Sequence, residues 1–289
     1  MKTIAVIGAG QMGSGISQVT AQAGYNVLLS DVSLEIAQKA ISDLEKRLGK
    51  LVARDRLDAG EARATIERIT AVANYEPMVE ADLIVEAATE REAIKLKIFQ
   101  EVGKYLRSDA ILASNTSSIP ITRMANTSPD PKRFIGIHYF NPVPVMGLIE
   151  VIPGLATSPE TVETVTAYCE TLHKKVVFSD DSPGFVVNRI LLPMINEAIF
   201  SLGQGIANII DIDAGCRLGL NHPMGPLELA DFVGLDTCLD IINVLHATTG
   251  DPKFRPAPLL VKYVEAGWIG RKVGRGFYDY STDTPVPTR

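Results

Sequence analysis

The hydrophobic pattern opens with an unbroken run, Ile4, Ala5, Val6 and Ile7. Such a run bounded by turn residues predicts a strand buried on both faces of a parallel sheet. Gly8-Ala9-Gly10-Gln11-Met12-Gly13 follows at once, and Ser14-Gly15-Ile16-Ser17-Gln18-Val19 then has helical character. A second apolar strand, Asn26-Val27-Leu28-Leu29-Ser30, ends in Asp31. Residues 33–69 predict two long polar helices broken near 56–60, the first with a narrow apolar stripe of Leu44, Leu48, Leu51 and Val52. Sheet character returns at 81–88, a helix follows from about 91 to 106, and another strand at 110–113. Strands at 133–138 and 147–152 flank an irregular stretch held open by Pro142 and Pro144, which can bring His138 and Glu150 together. A crossover helix over 158–172 and a strand at 174–178 complete the sheet.

The turn-rich stretch 179–184 marks a domain boundary. The pattern therefore predicts an α/β Rossmann-type dinucleotide-binding domain over 1–182, with a helical-hairpin insertion at about 33–69, and a helical C-terminal domain over 183–289. Residues 185–202 are apolar on nearly every side, with a kink expected at Pro193. A helix of that kind must be buried, which in a small domain predicts a subunit interface and hence a homodimer. Segments 211–218, 226–233 and 235–247 extend the bundle, and the tail 270–278 is glycine-rich and basic.

At 289 residues the chain is long for a single core, in keeping with two domains. A net charge of −6 argues against a general nucleic-acid binder. No apolar run approaches the ~20 residues needed to span a bilayer. The first strand begins almost at Met1, so no leader is expected. Cys169, Cys216 and Cys238 are widely spaced without a C-x-x-C, as expected of free thiols in the cytoplasm. No metal site is expected.

Candidate chemistry gathers first at the glycine turn. A strand, G-x-G-x-x-G and a helix are the parts of a dinucleotide site: the glycines allow a tight turn, close backbone approach to a pyrophosphate, and close helix–strand contact. The helix N-terminus supplies unpaired N–H groups to the phosphates. Asp31, about 20 residues on, suits an adenosine ribose 2′-OH and repels a 2′-phosphate, favouring NAD over NADP. Its alternative role is to cap the helix that starts near Ser33. The run Ser114-Asn115-Thr116-Ser117-Ser118 serves either as a turn or as a set of donors beyond a strand end. Lys46, Arg47, Lys50, Arg54 and Arg56 form either a solvated helix face or a dock for a phosphorylated ligand.

The segments GAGQMGSGI, ADLIVEAATE, ILASNTSSI, GIHYFNPVPVM, IEVI, DSPGFVVNRIL, NHPMGPLELADFVGLDTC and GRKVGRGFYDY, in this order, resemble the L-3-hydroxyacyl-CoA dehydrogenase family in its short bacterial form. The resemblance covers essentially the whole length. It implies NAD-dependent oxidation of a (3S)-3-hydroxyacyl-CoA, 3-hydroxybutyryl-CoA foremost, to the 3-ketoacyl-CoA, or the reverse. It implies His138 as catalytic acid/base with Glu150 as its partner, and Ser117 and Asn188 at the C3 oxygen and thioester of the substrate. Around the NAD it implies Gly8, Gly10, Gln11, Met12, Gly13, Asp31, Glu90, Lys95, Ser117, Asn141 and Lys272. For CoA it implies Ser117, with Lys50 and Arg54 at the phosphorylated ADP. The pattern departs at Gly147, where a basic residue is expected, so acyl-chain preference or loop stiffness can differ. Two enzyme alternatives are a dicarboxylic substrate such as 3-hydroxyadipyl-CoA and a 3-hydroxy acid without CoA. A nucleotide-binding structural protein that has lost catalysis is a third, against which both His138 and Glu150 are present.

Overall fold

The computed structural model describes the whole chain, Met1–Arg289, which divides into two compact units, Met1–Phe185 and Val186–Arg289. In the first unit the apolar run forms β1 (Thr3–Ile7). Ile4 and Val6 enter one hydrophobic core and Ala5 and Ile7 the other, as alternation along a strand requires. The glycine turn leads into α1 (Gln11–Gln22), followed by β2 (Asn26–Ser30). The insertion is α2 (Leu34–Val52) and α3 (Ala59–Glu67), capped by the side chains of Ser33 and Asp58. β3 (Ile69–Val72) comes next, a strand that the pattern does not predict because exposed Thr70 breaks its apolar run at the end of the expected hairpin.

β4 (Leu83–Glu86), α4 (Glu92–Val102), β5 (Ile111–Ser114), α5 (Ile121–Ala125) and β6 (Phe134–Tyr139) continue the alternation. β7 (Leu148–Pro153), α6 (Pro159–Thr171) and β8 (Lys175–Phe178) end the unit's regular structure. The sheet order is β3-β2-β1-β4-β5-β6-β7-β8. β1 to β6 run parallel, β7 is antiparallel to β6, and β8 is parallel to β7. The direction of winding reverses between β1 and β4, and ligands of such sheets bind outside the carboxyl ends of the strands at that point. Gly8, Asp31 and the residues after β4, β5 and β6 all lie at that edge. This is a doubly wound Rossmann-type domain.

The second unit is built on α7 (Val187–Gly203), with Pro193 inside it. α8 (Ile209–Ala214) runs into one π-helical turn, and α9 (Pro226–Val233), α10 (Leu235–Thr249) and α11 (Pro258–Glu265) follow. Leu192, Ile195 and Ile199 of α7 meet Leu227, Leu235, Ile242, Leu260 and Phe277 in its core. On its other side α7 exposes Ile190. The helical unit also carries a short ribbon, β9 (Tyr278–Asp279) against β10 (Val286–Pro287). No helix is long and apolar enough to cross a membrane.

Candidate active site

At the end of β1, Gly8 has φ +102°, and a Cβ there would lie 2.5 Å from Ala88 Cα. A Cβ on Gly13 would lie 1.7 Å from the Gly8 carbonyl oxygen, so these two glycines are demanded by the protein's own packing. Gly10 differs: a Cβ there would meet nothing within 4 Å, and its φ of −67° suits any residue. What excludes a side chain at position 10 is a group from outside, which is where the pyrophosphate approaches in dinucleotide folds. No side chain caps α1 and no acid sits in its first turn, so the N–H groups around Gln11, Met12 and Gly13 face that position unopposed. The residues fit a bound dinucleotide.

Asp31 does not cap α2; Ser33 does. The Asp31 carboxylate instead accepts the Ala9 N–H at 2.6 Å on one oxygen and the Val32 N–H at 2.7 Å on the other. β2 thereby fastens its terminal carboxylate to the middle of the glycine turn.

His138 and Glu150 face each other as register partners of β6 and β7. His138 Nδ1 lies 2.7 Å from Glu150 Oε2, with Glu150 fully buried and the His138 side chain 9% exposed. A carboxylate at Nδ1 holds the proton on that nitrogen and leaves Nε2 as the proton acceptor. The loop between the strands is tied down: Asn141 Oδ1 accepts from Gln11 Nε2 at 2.8 Å, and Val143 packs on Gly15 of α1. Lys174, buried just before β8, donates to the carbonyls of Val143 and Met146 at 2.7 and 2.6 Å. Gly147 is exposed, and a Cβ there would meet nothing within 4 Å, so the loop itself does not require glycine.

The hydroxyl run after β5 closes on one carboxylate oxygen. Glu90 Oε1 accepts from Thr116 Oγ1 (2.7 Å), Ser117 N (2.8 Å), Ser117 Oγ (3.0 Å) and Ser118 Oγ (3.0 Å). Lys95, expected to touch the cofactor, does not reach the surface. Its fully buried ammonium lies 2.5 Å from Glu86 Oε2, 3.3 Å from Ser114 Oγ and 3.8 Å from Glu90 Oε2. A cation on a buried strand end needs an anion, and Glu86, the last residue of β4, supplies it. Lys95 therefore lies beneath the surface, with Glu90 Oε2 the most distant of its three partners. The sequence signal for Glu86 is the acid that ends the apolar run in ADLIVEA.

Two more neighbours of His138 were not anticipated: Phe140, with ring centroids 4.6 Å apart, and Phe185, at 5.6 Å. Phe140 is two residues along the strand direction from His138, hence on the same face. Lys50 and Arg54 are exposed at the end of α2, and among the five basic residues there only Lys46 has an ion pair, with Asp43. In the second unit Asn188 is buried in the first turn of α7, and Lys272 bonds Asp236 at 2.7 and 2.5 Å.

Family comparison agrees with this geometry. The model of the 3-hydroxyacyl-CoA dehydrogenase NAD-binding domain matches residues 3–182, and that of the C-terminal domain matches 184–280. A 3-hydroxybutyryl-CoA dehydrogenase of Bradyrhizobium diazoefficiens is 51% identical over 289 residues, covering 100% of this chain and 99% of that one. One from Clostridioides difficile is 44% identical over 96% of this chain and 99% of its own. The crystal structure of (S)-3-hydroxybutyryl-CoA dehydrogenase from Ralstonia eutropha superposes with a TM-score of 0.95 at 45% identity, covering 98% of this chain and all of that one. With its dinucleotide edge and both family domains in order, the chain belongs to the NAD-dependent 3-hydroxyacyl-CoA dehydrogenase family.

Proposed function

We propose that this enzyme interconverts (3S)-3-hydroxybutyryl-CoA and acetoacetyl-CoA, with His138 as the acid/base. The observation that carries the reading is the buried His138–Glu150 pair, 2.7 Å apart, beside a sheet edge built for a dinucleotide. NAD, when bound, takes up or returns the hydride at C3. His138 Nε2 takes the hydroxyl proton, the acid/base task that imidazole performs most often in enzymes. Glu150 holds the tautomer and balances the imidazolium charge, the logic of an acid–histidine pair in other enzymes.

Ser117 is the substrate's hydrogen-bond donor in this reading. Four donors crowd Glu90 Oε1, more than one carboxylate oxygen accommodates well, so one of the two 3.0 Å hydroxyls, Ser117 Oγ or Ser118 Oγ, is free to turn to an incoming oxygen, and the family resemblance favours Ser117. Lys50 and Arg54, without ion pairs, suit the phosphates of CoA. From the second unit, Asn188 and Lys272 keep the roles given by the family resemblance, toward the substrate oxygen and toward NAD. Exposed Ile206, Ile210, Leu218 and Leu220 support a homodimer through the helical unit. The proposed substrate and the three free thiols support a cytoplasmic place in short-chain fatty acid or butyrate metabolism.

The test is NADH oxidation with acetoacetyl-CoA and with 3-ketoadipyl-CoA, for the wild type and for His138→Gln. Acetoacetyl-CoA should be preferred, and His138→Gln should lose about a thousandfold in kcat while still binding NADH. Preference for the dicarboxylic substrate would overturn the substrate assignment. Near-normal turnover by the variant would overturn the base.

A further inference from the structure

The hydrogen bond to Glu150 does not by itself aim the catalytic imidazole. It sets one distance, 2.7 Å from Nδ1 to Glu150 Oε2, on a ring placed by two torsions, χ1 and χ2, which leaves a coupled rotation of the two. That rotation swings Nε2, the atom that must meet the substrate proton. Two rings are placed to stop it, Phe140 from the loop that follows His138, its centroid 4.6 Å away, and Phe185 from a distant segment.

Phe185 stands there at an evident conformational expense. Its ring centroid is 5.6 Å from that of His138, with the planes inclined by 59°, and the residue is only 4% exposed. Its φ is +50°, in the left-handed region, where a bulky non-glycine residue is an outlier. Gly184 before it has φ +77°, and the Phe185 N–H closes the turn on the Ser182 carbonyl at 3.0 Å. The turn is anchored by Asp181, whose carboxylate accepts the N–H groups of Ile121 and Thr122 at 2.8 and 2.7 Å. The ring is seated in the apolar cluster containing Ile119, Ile121 and Ile152. A strained backbone persists only where its surroundings over-determine it, and such positions gather at functional sites.

We infer that Phe185 is a positioning residue that locks the plane of the His138 imidazole and so aims Nε2. The inference rests on the reading of His138 as the base. Phe185 touches neither the proton nor the hydride; its effect passes through the imidazole.

A double-mutant cycle tests this, with kcat and KM measured for acetoacetyl-CoA and NADH. Phe185→Leu removes the flat ring but keeps apolar bulk, and Phe185→Gly removes the ring while relieving the strained φ. Both should lose about tenfold or more in kcat, because small misplacements of a reacting group are costly, with KM for either substrate within about twofold. Placed on His138→Gln, Phe185→Leu should add a factor of about one, since there is no imidazole left to aim. The same loss in both backgrounds, or wild-type kcat in Phe185→Leu, would overturn the inference and leave the base reading standing. Wild-type kcat in His138→Gln alone would bring down the base reading and Phe185's role with it. Should Phe185→Leu fail to fold, the cycle is run with Phe185→Gly, whose backbone adopts φ +50° without strain.

Discussion

Asp31 has two duties that a single substitution cannot separate but a pair can. Its carboxylate holds the Ala9 N–H at 2.6 Å, so it shapes the glycine turn, and its second, proposed duty is to the adenosine ribose. Asp31→Asn keeps one oxygen to accept the Ala9 N–H, and loses the charge and the acceptor of the Val32 N–H. Asp31→Ala loses both acceptors and the charge. Hydrogen bonds to charged groups are worth about 1.5–3 kcal/mol, so Asp31→Ala should weaken NAD by about tenfold or more. Asp31→Asn should bind NAD more nearly normally while narrowing the gap to NADP, because a 2′-phosphate no longer meets an anion. Fluorescence titration with both dinucleotides separates the cases, and an unchanged NAD-to-NADP ratio in Asp31→Asn would deny the carboxylate its ribose role.

The element that makes the site is the β6–β7 pair, where register alone sets His138 opposite Glu150. A slip of one residue would turn one partner to the other face of the sheet. Lys174 guards that register from outside the hairpin, through two carbonyls of the loop, and burial lowers the pKa of its ammonium. Lys174→Met should leave both carbonyls without their donor and cost about 1–3 kcal/mol of stability. Hydrogen exchange at the Val145 and Met146 amides, both bonded to the Pro142 carbonyl, should quicken; unaltered protection there would show that the loop holds without the clamp. What could be read in advance follows the reach of each signal. The glycine turn and Asp31 were legible because their motif is local. α9 was legible because Gly225 and Pro226 open it and Gly234 ends it. The meeting of His138 and Glu150 was legible because adjacent strands with a short connection usually pair. Lys174, Phe185 and the burial of Lys95 were not, since each is decided by contacts between distant segments. β3 was not, because Thr70 interrupts its apolar run and it directly follows a helical pattern, whereas the equally short β4 and β5 carry continuous apolar runs.

The second unit as a whole hangs on two buried carboxylates. Asp213 accepts the Leu227 and Glu228 N–H groups and the Tyr278 hydroxyl. Asp231 accepts the Phe277 and Tyr278 N–H groups and the Tyr280 hydroxyl. The basic, glycine-rich tail is therefore a strap over α9, and Gly276 is required because its Cβ would lie 1.9 Å from Asp231 Oδ1. Burial pushes the Asp231 carboxyl up to about 6 from its ordinary 3.8, against the lowering effect of its N–H donors and with a further push from Asp213. A raised value means that the folded chain holds the proton more tightly than the unfolded chain. The contribution to stability is then full below the unfolded value of 3.8 and is lost as pH rises through about 6. Thermal unfolding of the wild type should show this loss between those values, in a transition that releases the strap. Asp231→Asn, which cannot titrate, should lack that component, although it is less stable overall because an amide nitrogen then competes with N–H groups for the same space. If wild type and variant instead lose stability in parallel across the window, the carboxylate is ionised throughout, and its three donors outweigh its burial.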